Sequence, residues 1–103
     1  MWIFSQEGFS SIVRKGEHYH VRARRKQDLV NLGLAPTKSF AGSDYPWRAI
    51  LSDDLELPKL MAALGQSIDY PNFKRRIGER PDQRLRLSTY HKIWEMMAQE
   101  QDA

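Results

Sequence analysis

The amino-acid sequence predicts an α+β fold: a small antiparallel or mixed sheet of three to four strands with helices packed on one face. Three observations predict it. Residues 9–24 alternate apolar and polar side chains on either side of a polar glycine turn, as the two strands of a hairpin do. Residues 47–51 form a compact apolar run bounded by Pro46 and by Ser52-Asp53-Asp54. Leu57, Leu60, Met61, Leu64 and Ile68 recur at i, i+3, i+4, i+7 and i+11, the spacing of one buried helical face.

Taken in order, Trp2 and Phe4 share a parity and extend or precede the first hairpin strand, with Glu7-Gly8 as a bend or bulge that suits glycine. The hairpin follows, from Phe9-Ser10-Ser11-Ile12-Val13 through Arg14-Lys15-Gly16-Glu17 into His18-Tyr19-His20-Val21-Arg22-Ala23-Arg24. Side chains alternate across a strand, so Tyr19, Val21 and Ala23 point one way while His18, His20, Arg22 and Arg24 point the other. One face is predicted core and the other basic. Residues 26–32 carry Leu29 and Leu32 at helical spacing before Gly33, a short helix whose basic start opposes its dipole and leaves packing to hold it.

Residues 35–44, with Pro36, Gly42 and small polar residues, are predicted as a flexible loop inside the domain. The strand at 47–51 comes next, and Asp53 and Asp54 suit the positive N-terminus of the helix that follows, with Pro58 in its first turn. Asp69-Tyr70-Pro71-Asn72 breaks that helix and starts a short one carrying Phe73 and Ile77 on one side, closed by Gly78. After Pro81 a last helix is predicted, with Leu87, Tyr90, Ile93, Trp94 and Met97 as its apolar stripe and a polar tail at 99–103.

Composition bounds the rest. A chain of 103 residues supports one core, so 1–103 is expected to be a single domain, and 41% hydrophobic with 28% charged residues excludes a disordered or fibrous class. No cysteine is present, which removes disulfides, thiolate nucleophiles and cysteine zinc sites, and fits a reducing compartment. Gln6 and Glu7 interrupt the apolar start before a signal peptide could form, and no apolar run is long enough to span a membrane. The expectation is a cytoplasmic protein with no membrane partner. No glycine-rich phosphate loop, nucleophile elbow or zinc-helix motif occurs, and no cofactor or bound metal is expected.

Several strings stand out together: Met1-Trp2-Ile3-Phe4 with Gly8-Phe9-Ser10, Val21-Arg22-Ala23-Arg24, Asp44-Tyr45-Pro46-Trp47-Arg48-Ala49, Ile68-Asp69-Tyr70-Pro71-Asn72-Phe73-Lys74, and Tyr90-His91-Lys92-Ile93-Trp94-Glu95-Met96-Met97. As a set, spanning nearly the whole chain, they resemble a family of small uncharacterised bacterial proteins. The resemblance implies one intact domain with a shared fold, and no activity, cofactor or catalytic residue.

The main functional signal is basic. Net charge is +3, and Arg22, Arg24, Arg25 and Lys26 cluster beside His18 and His20 on the second hairpin strand. Such a sheet-borne surface can lie along phosphates of a nucleic acid or another polyanion, with Tyr19, Tyr45 and Trp47 as candidate stacking residues. Tyr19 and Trp47 also read as core, and the alternative for the cluster is a solvated charged face. Lys74, Arg75 and Arg76, near Arg80, Arg84 and Arg86, form a second basic group that Glu79, Asp82 and Glu95 can pair.

Other readings stand beside this one. His18 and His20, with His91 or Glu17, are candidate metal ligands, though local geometry joins only two of them. A small-enzyme reading draws on Asp44, Tyr45, Arg48, Asp69, Tyr70, Asn72, Lys74 and His91, with His91 as general base oriented by Asp44 or Asp69, and so a site near Asp69, Asn72 and His91. Its structural alternative is that Asp69 and Asn72 order the turn before the short helix. A protein-interaction or homodimerising module is the runner-up, ahead of the small enzyme, through Trp2, Phe4 and Trp94 where they are exposed or through an edge strand.

Overall fold

The computed structural model describes residues 1–101 apart from Ala41, Asp53 and Tyr70. The dipole role expected of Asp53, the catalytic candidacy of Tyr70 and the last two tail residues therefore lie outside the described residues. Strands β1 (Trp2–Ser5), β2 (Gly8–Lys15) and β3 (His18–Ala23) precede α1 (Lys26–Val30). Then come β4 (Thr37–Lys38), β5 (Trp47–Ser52), α2 (Glu56–Gln66), α3 (Phe73–Glu79) and α4 (Arg86–Glu100).

The fold is α+β, with one antiparallel sheet in the order β1-β2-β3-β5-β4. Among the described residues it has five strands rather than three or four. The additional ones are short: β1 is a separate strand and not a continuation of β2, and the two-residue β4 arises inside the segment predicted as loop. Gly8 lies where β2 begins, at φ +136°, and a Cβ there would overlap the Asp28 carboxyl group.

Register settles which face is core. Ile12 pairs with Val21 and Val21 with Ala49, while Tyr19 pairs with Leu51 and Ala23 with Trp47. These side chains share one face, and Leu29 of α1 and Leu60 of α2 pack onto it. Leu29, Val21 and Ala23 are fully buried. Burying a leucine of this kind contributes about 2 kcal/mol, enough to hold a five-residue α1 with a basic start that would not persist alone. The helical stripe of α2 packs as predicted through Leu60, Leu57, Met61 and Leu64, whereas Ile68 falls beyond its last turn and is 81% exposed.

The α3–α4 segment is attached differently. It is anchored at the β1–β2 turn by polar contacts around Asp28, whose buried carboxylate accepts from Gln83 Nε2 at 2.9 Å, Arg86 Nη2 at 2.8 Å and the Phe9 N–H at 3.4 Å. Arg80 Nη1 donates to the Gln6 carbonyl at 2.9 Å and to Glu7 Oε2 at 2.8 Å. Asn31 Nδ2 bridges the Glu7 carbonyl and Asp82 Oδ2. Burial opposes the charge on Arg86, but its bonds and attraction to Asp28 outweigh that cost and raise its pKa.

Because α4 hangs from this anchor and meets β1 through Tyr90 without packing across the sheet, its predicted core stripe is not core. No residue of α4 is buried, and Trp94 and Met97 are 65% and 59% exposed. Gly78 lies within α3 and does not close it; the chain turns extended at Arg80. Among the described residues no helix is long and apolar enough to cross a membrane.

Candidate nucleic-acid interface

With α1 and α2 on the Val21 face, the opposite face of the sheet carries no helix from that pair. Strand alternation and register place there Trp2 and Phe4 of β1, Phe9, Ser11, Val13 and Lys15 of β2, His18, His20 and Arg22 of β3, and Arg48 and Ile50 of β5. None of these strand positions is acidic.

The aromatic residues touch one another. Phe4 stacks on Phe9 with centroids 4.7 Å apart and planes at 17°, and Trp2 meets Phe9 edge-on at 6.3 Å. Tyr45, from the loop before β5, lies 6.4 Å from Phe9. The Arg22 guanidinium sits 4.5 Å from the Tyr45 ring centre and that of Arg24 5.2 Å, so the two arginines are held against one buried aromatic ring. Arg22 Nη2 also donates to Ser11 Oγ at 2.9 Å, while its buried Nε has no partner. Trp2 is 67% exposed, and Phe4, stacked on Phe9, is 39% exposed beside these cations.

Arg48 completes the surface. Its Nε donates to Ser39 Oγ at 3.1 Å, and its Nη1 lies 3.1 Å from His20 Nδ1. Guanidinium can only donate, so Nδ1 accepts and the neutral ring carries its proton on Nε2. Burial, then the charges of Arg48, Lys15, His18 and Arg22, hold the His20 pKa below its ordinary value. The imidazolium is disfavoured here first by burial and then by the cations around it.

No family model matches this chain, and no curated protein or solved structure matches it.

The structure divides the basic residues singled out in the sequence. Arg22 and Arg24 share the open face with His18 and His20. Arg25 instead donates to the Asp82 carbonyl, and Lys26, on α1, lies 5.2 Å from the ring centre of Trp47, whose register partner Ala23 faces the core. Arg75 is 3.9 Å from Glu79 and Arg76 is 2.6 Å from Asp69, so two of the three α3 cations have carboxylate partners beside the β1–β2 turn. Lys74 lines a separate cleft of about 560 Å³ with Phe73, Tyr90 and Trp94. The stacking candidates divide as well: Tyr19 and Trp47 pack against the core, and only Tyr45 reaches the arginines.

The remaining candidates fall into separate groups. Asn72 Nδ2 donates to Asp69 Oδ1 at 3.1 Å, ordering the turn before α3. His91 lies 3.1 Å from Glu95 and stacks on Trp94 in the cleft with Lys74, whereas Asp69 lines a different cleft, beside β1 and α2. Among the described residues no group of three or more histidine and carboxylate side chains is arranged to hold a metal ion.

Trp2, Phe4 and Phe9 went unnoticed as stacking residues in the sequence. The signal was there: equal parity at Trp2 and Phe4, and a tight turn at Glu7-Gly8, set Phe4 opposite Phe9 and both on the arginine side.

Proposed function

We propose that this protein binds single-stranded nucleic acid on the open face of its sheet. The observation that carries the reading is the coincidence, on the face opposite α1 and α2, of exposed aromatic rings with cations and no strand-borne acid. Trp2 offers a largely exposed ring on which an unpaired base stacks, with the partly exposed Phe4 beside it, at about 1–3 kcal/mol per base. Arg22, Arg24, Lys15 and Arg48 supply phosphate contacts beside them.

A sheet face bearing exposed rings suits splayed bases better than a duplex, whose base faces are already stacked. The reading is tested by fluorescence anisotropy with labelled oligo-dT and oligo-U beside a blunt duplex. Single strands are expected to bind, more tightly than the duplex and less tightly as salt rises. No binding of either single strand at about 20 mM salt, where counterion release most favours association, sinks it.

A further inference from the structure

Among the described residues β1 pairs with one strand, β2, and no strand pairs with its other edge. Met1 exchanges both backbone bonds with Ile12, its N-terminus donating to the Ile12 carbonyl at 2.9 Å and its own carbonyl accepting from the Ile12 N–H at 2.8 Å. Bonded pairs alternate along an antiparallel ladder, so Met1, Ile3 and Ser5 bond inward to β2 while the N–H and C=O groups of Trp2 and Phe4 point outward. Natural edge strands are usually guarded by a proline, a charge or a bulge. Residues 2–5 carry none of these.

We propose that β1 pairs antiparallel with β1 of a second copy about a two-fold axis at Ile3, joining two sheets edge to edge. That register sets Trp2 opposite Phe4 of the partner and Phe4 opposite its Trp2, and it alone satisfies all the outward backbone groups of both strands. Two aromatic cross-strand pairs then lie on the open face, and Ile3 meets its own copy on the other. No like charges oppose one another, whereas an unrelated peptide would have to supply this pattern by chance.

The cleft beside the edge fits the same occupant. It has a volume of about 490 Å³, and Met1, Ile3, Met61, Leu64 and Ile68 contribute apolar walls. Met1 and Ile68 are 64% and 81% exposed. At roughly 150–250 Å² per aromatic side chain, the exposed parts of Trp2 and Phe4 bring at most roughly 250 Å² from each copy. With Met1, Ile68 and the strand backbone the total comes to roughly 500 Å² per copy, short of the ~800 Å² of a standard interface. The dimer is therefore weak, and because it engages the Trp2 and Phe4 rings that base stacking would use, it is tested in the absence of nucleic acid.

Sedimentation equilibrium without nucleic acid, from about 10 μM to about 1 mM, is expected to show a monomer–dimer equilibrium. Trp2→Pro removes an outward N–H at an edge position that tolerates proline, and is expected to weaken the dimer tenfold or more while leaving the circular dichroism unchanged. Should that variant unfold, cross-linking decides, because the chain has no native cysteine. Non-bonded antiparallel partners have Cα atoms about 4.5 Å apart, within disulfide span, so Ile3→Cys is expected to oxidise to a covalent dimer. Ser5→Cys is the register control: the two sulfurs would belong to strands offset by roughly 13 Å and should not join. A monomer at every concentration, equal cross-linking of the two variants, or a dimer indifferent to a folded Trp2→Pro chain overturns the proposal, the last pointing instead to α4.

Discussion

Neutralising Arg22 and Arg24 together tests whether phosphates are met on the open face. Four side chains with permanent charge reach it, Lys15, Arg22 and Arg48 by register and Arg24 by its contact with the Tyr45 ring. For single strands each phosphate contact contributes about 0.7 to the slope of log affinity against log salt, so four contacts predict a slope of about −2.8. Raising salt from about 50 to about 200 mM then weakens binding about 50-fold, and only about 7-fold once Arg22→Gln and Arg24→Gln leave two contacts at a slope of about −1.4. Glutamine retains a donor for Ser11 Oγ, and loss of the two cation–π contacts costs about 0.5–1 kcal/mol each, so the double variant should remain folded and melt somewhat lower. Fluorescence anisotropy across the salt series reads the slope directly. A double variant whose slope equals that of the parent chain would refute the assignment, because the charges contacting the strand would then lie elsewhere.

Trp2→Ala separates binding from stability: this exposed ring should change urea stability by no more than about 0.5 kcal/mol, yet cost about 1–3 kcal/mol of single-strand affinity, read from the same titration. Asp28→Asn leaves the guanidinium of Arg86, whose side chain is 13% exposed, without its counter-charge, and urea unfolding should report a loss of about 3–5 kcal/mol. Gly8→Ala forces a side chain into positive φ and into the Asp28 carboxyl, with an expected loss of about 3 kcal/mol or more by thermal melting. Bound phosphate favours the imidazolium of His20 while the empty face opposes it, so affinity should rise as pH falls from about 8 to about 5.5, a component absent from His20→Gln. Without ligand the sign reverses: the unfolded chain takes up the proton that folded His20 resists, so this residue's contribution to stability is present above the ordinary histidine pKa and is lost as pH falls below it.

The central fold was legible because it rests on periodicity. Alternation in residues 18–24 assigned Tyr19, Val21 and Ala23 to one face and His20 and Arg22 to the other, and register bears this out because a strand has only two sides. The stripe of α2 worked for the same reason. The stripe of α4 did not, since spacing reports which residues share a helical face and not whether anything covers it: Leu87 and Tyr90 are half-buried, and Trp94 and Met97 are exposed. The basic cluster was only half legible. Consecutive residues leave a strand in opposite directions, and at Arg25 the chain turns into α1, so charges adjacent in sequence face different sides of the molecule.

The contacts that position the open-face aromatics were the least legible, because their partners are far apart in the chain and carry no local pattern. Asp28 reads as an ordinary polar residue in the first turn of a short helix. Its carboxylate nonetheless ties the Phe9 N–H, in β2, to Gln83 and Arg86, 55 and 58 residues further on. Tyr90, one turn along α4, donates to the Ser5 carbonyl at 3.0 Å and meets Phe4 edge-on at 5.8 Å. The β1–β2 hairpin is therefore held from its helical side by a buried charge and at its turn end by α4, while its rings face outward. Such a support explains how a four-residue edge strand can present Trp2 and Phe4 to solvent without collapsing onto the core. Aromatic residues exposed on a backbone this firmly held have little ordering entropy left to lose, which favours their use as a recognition surface.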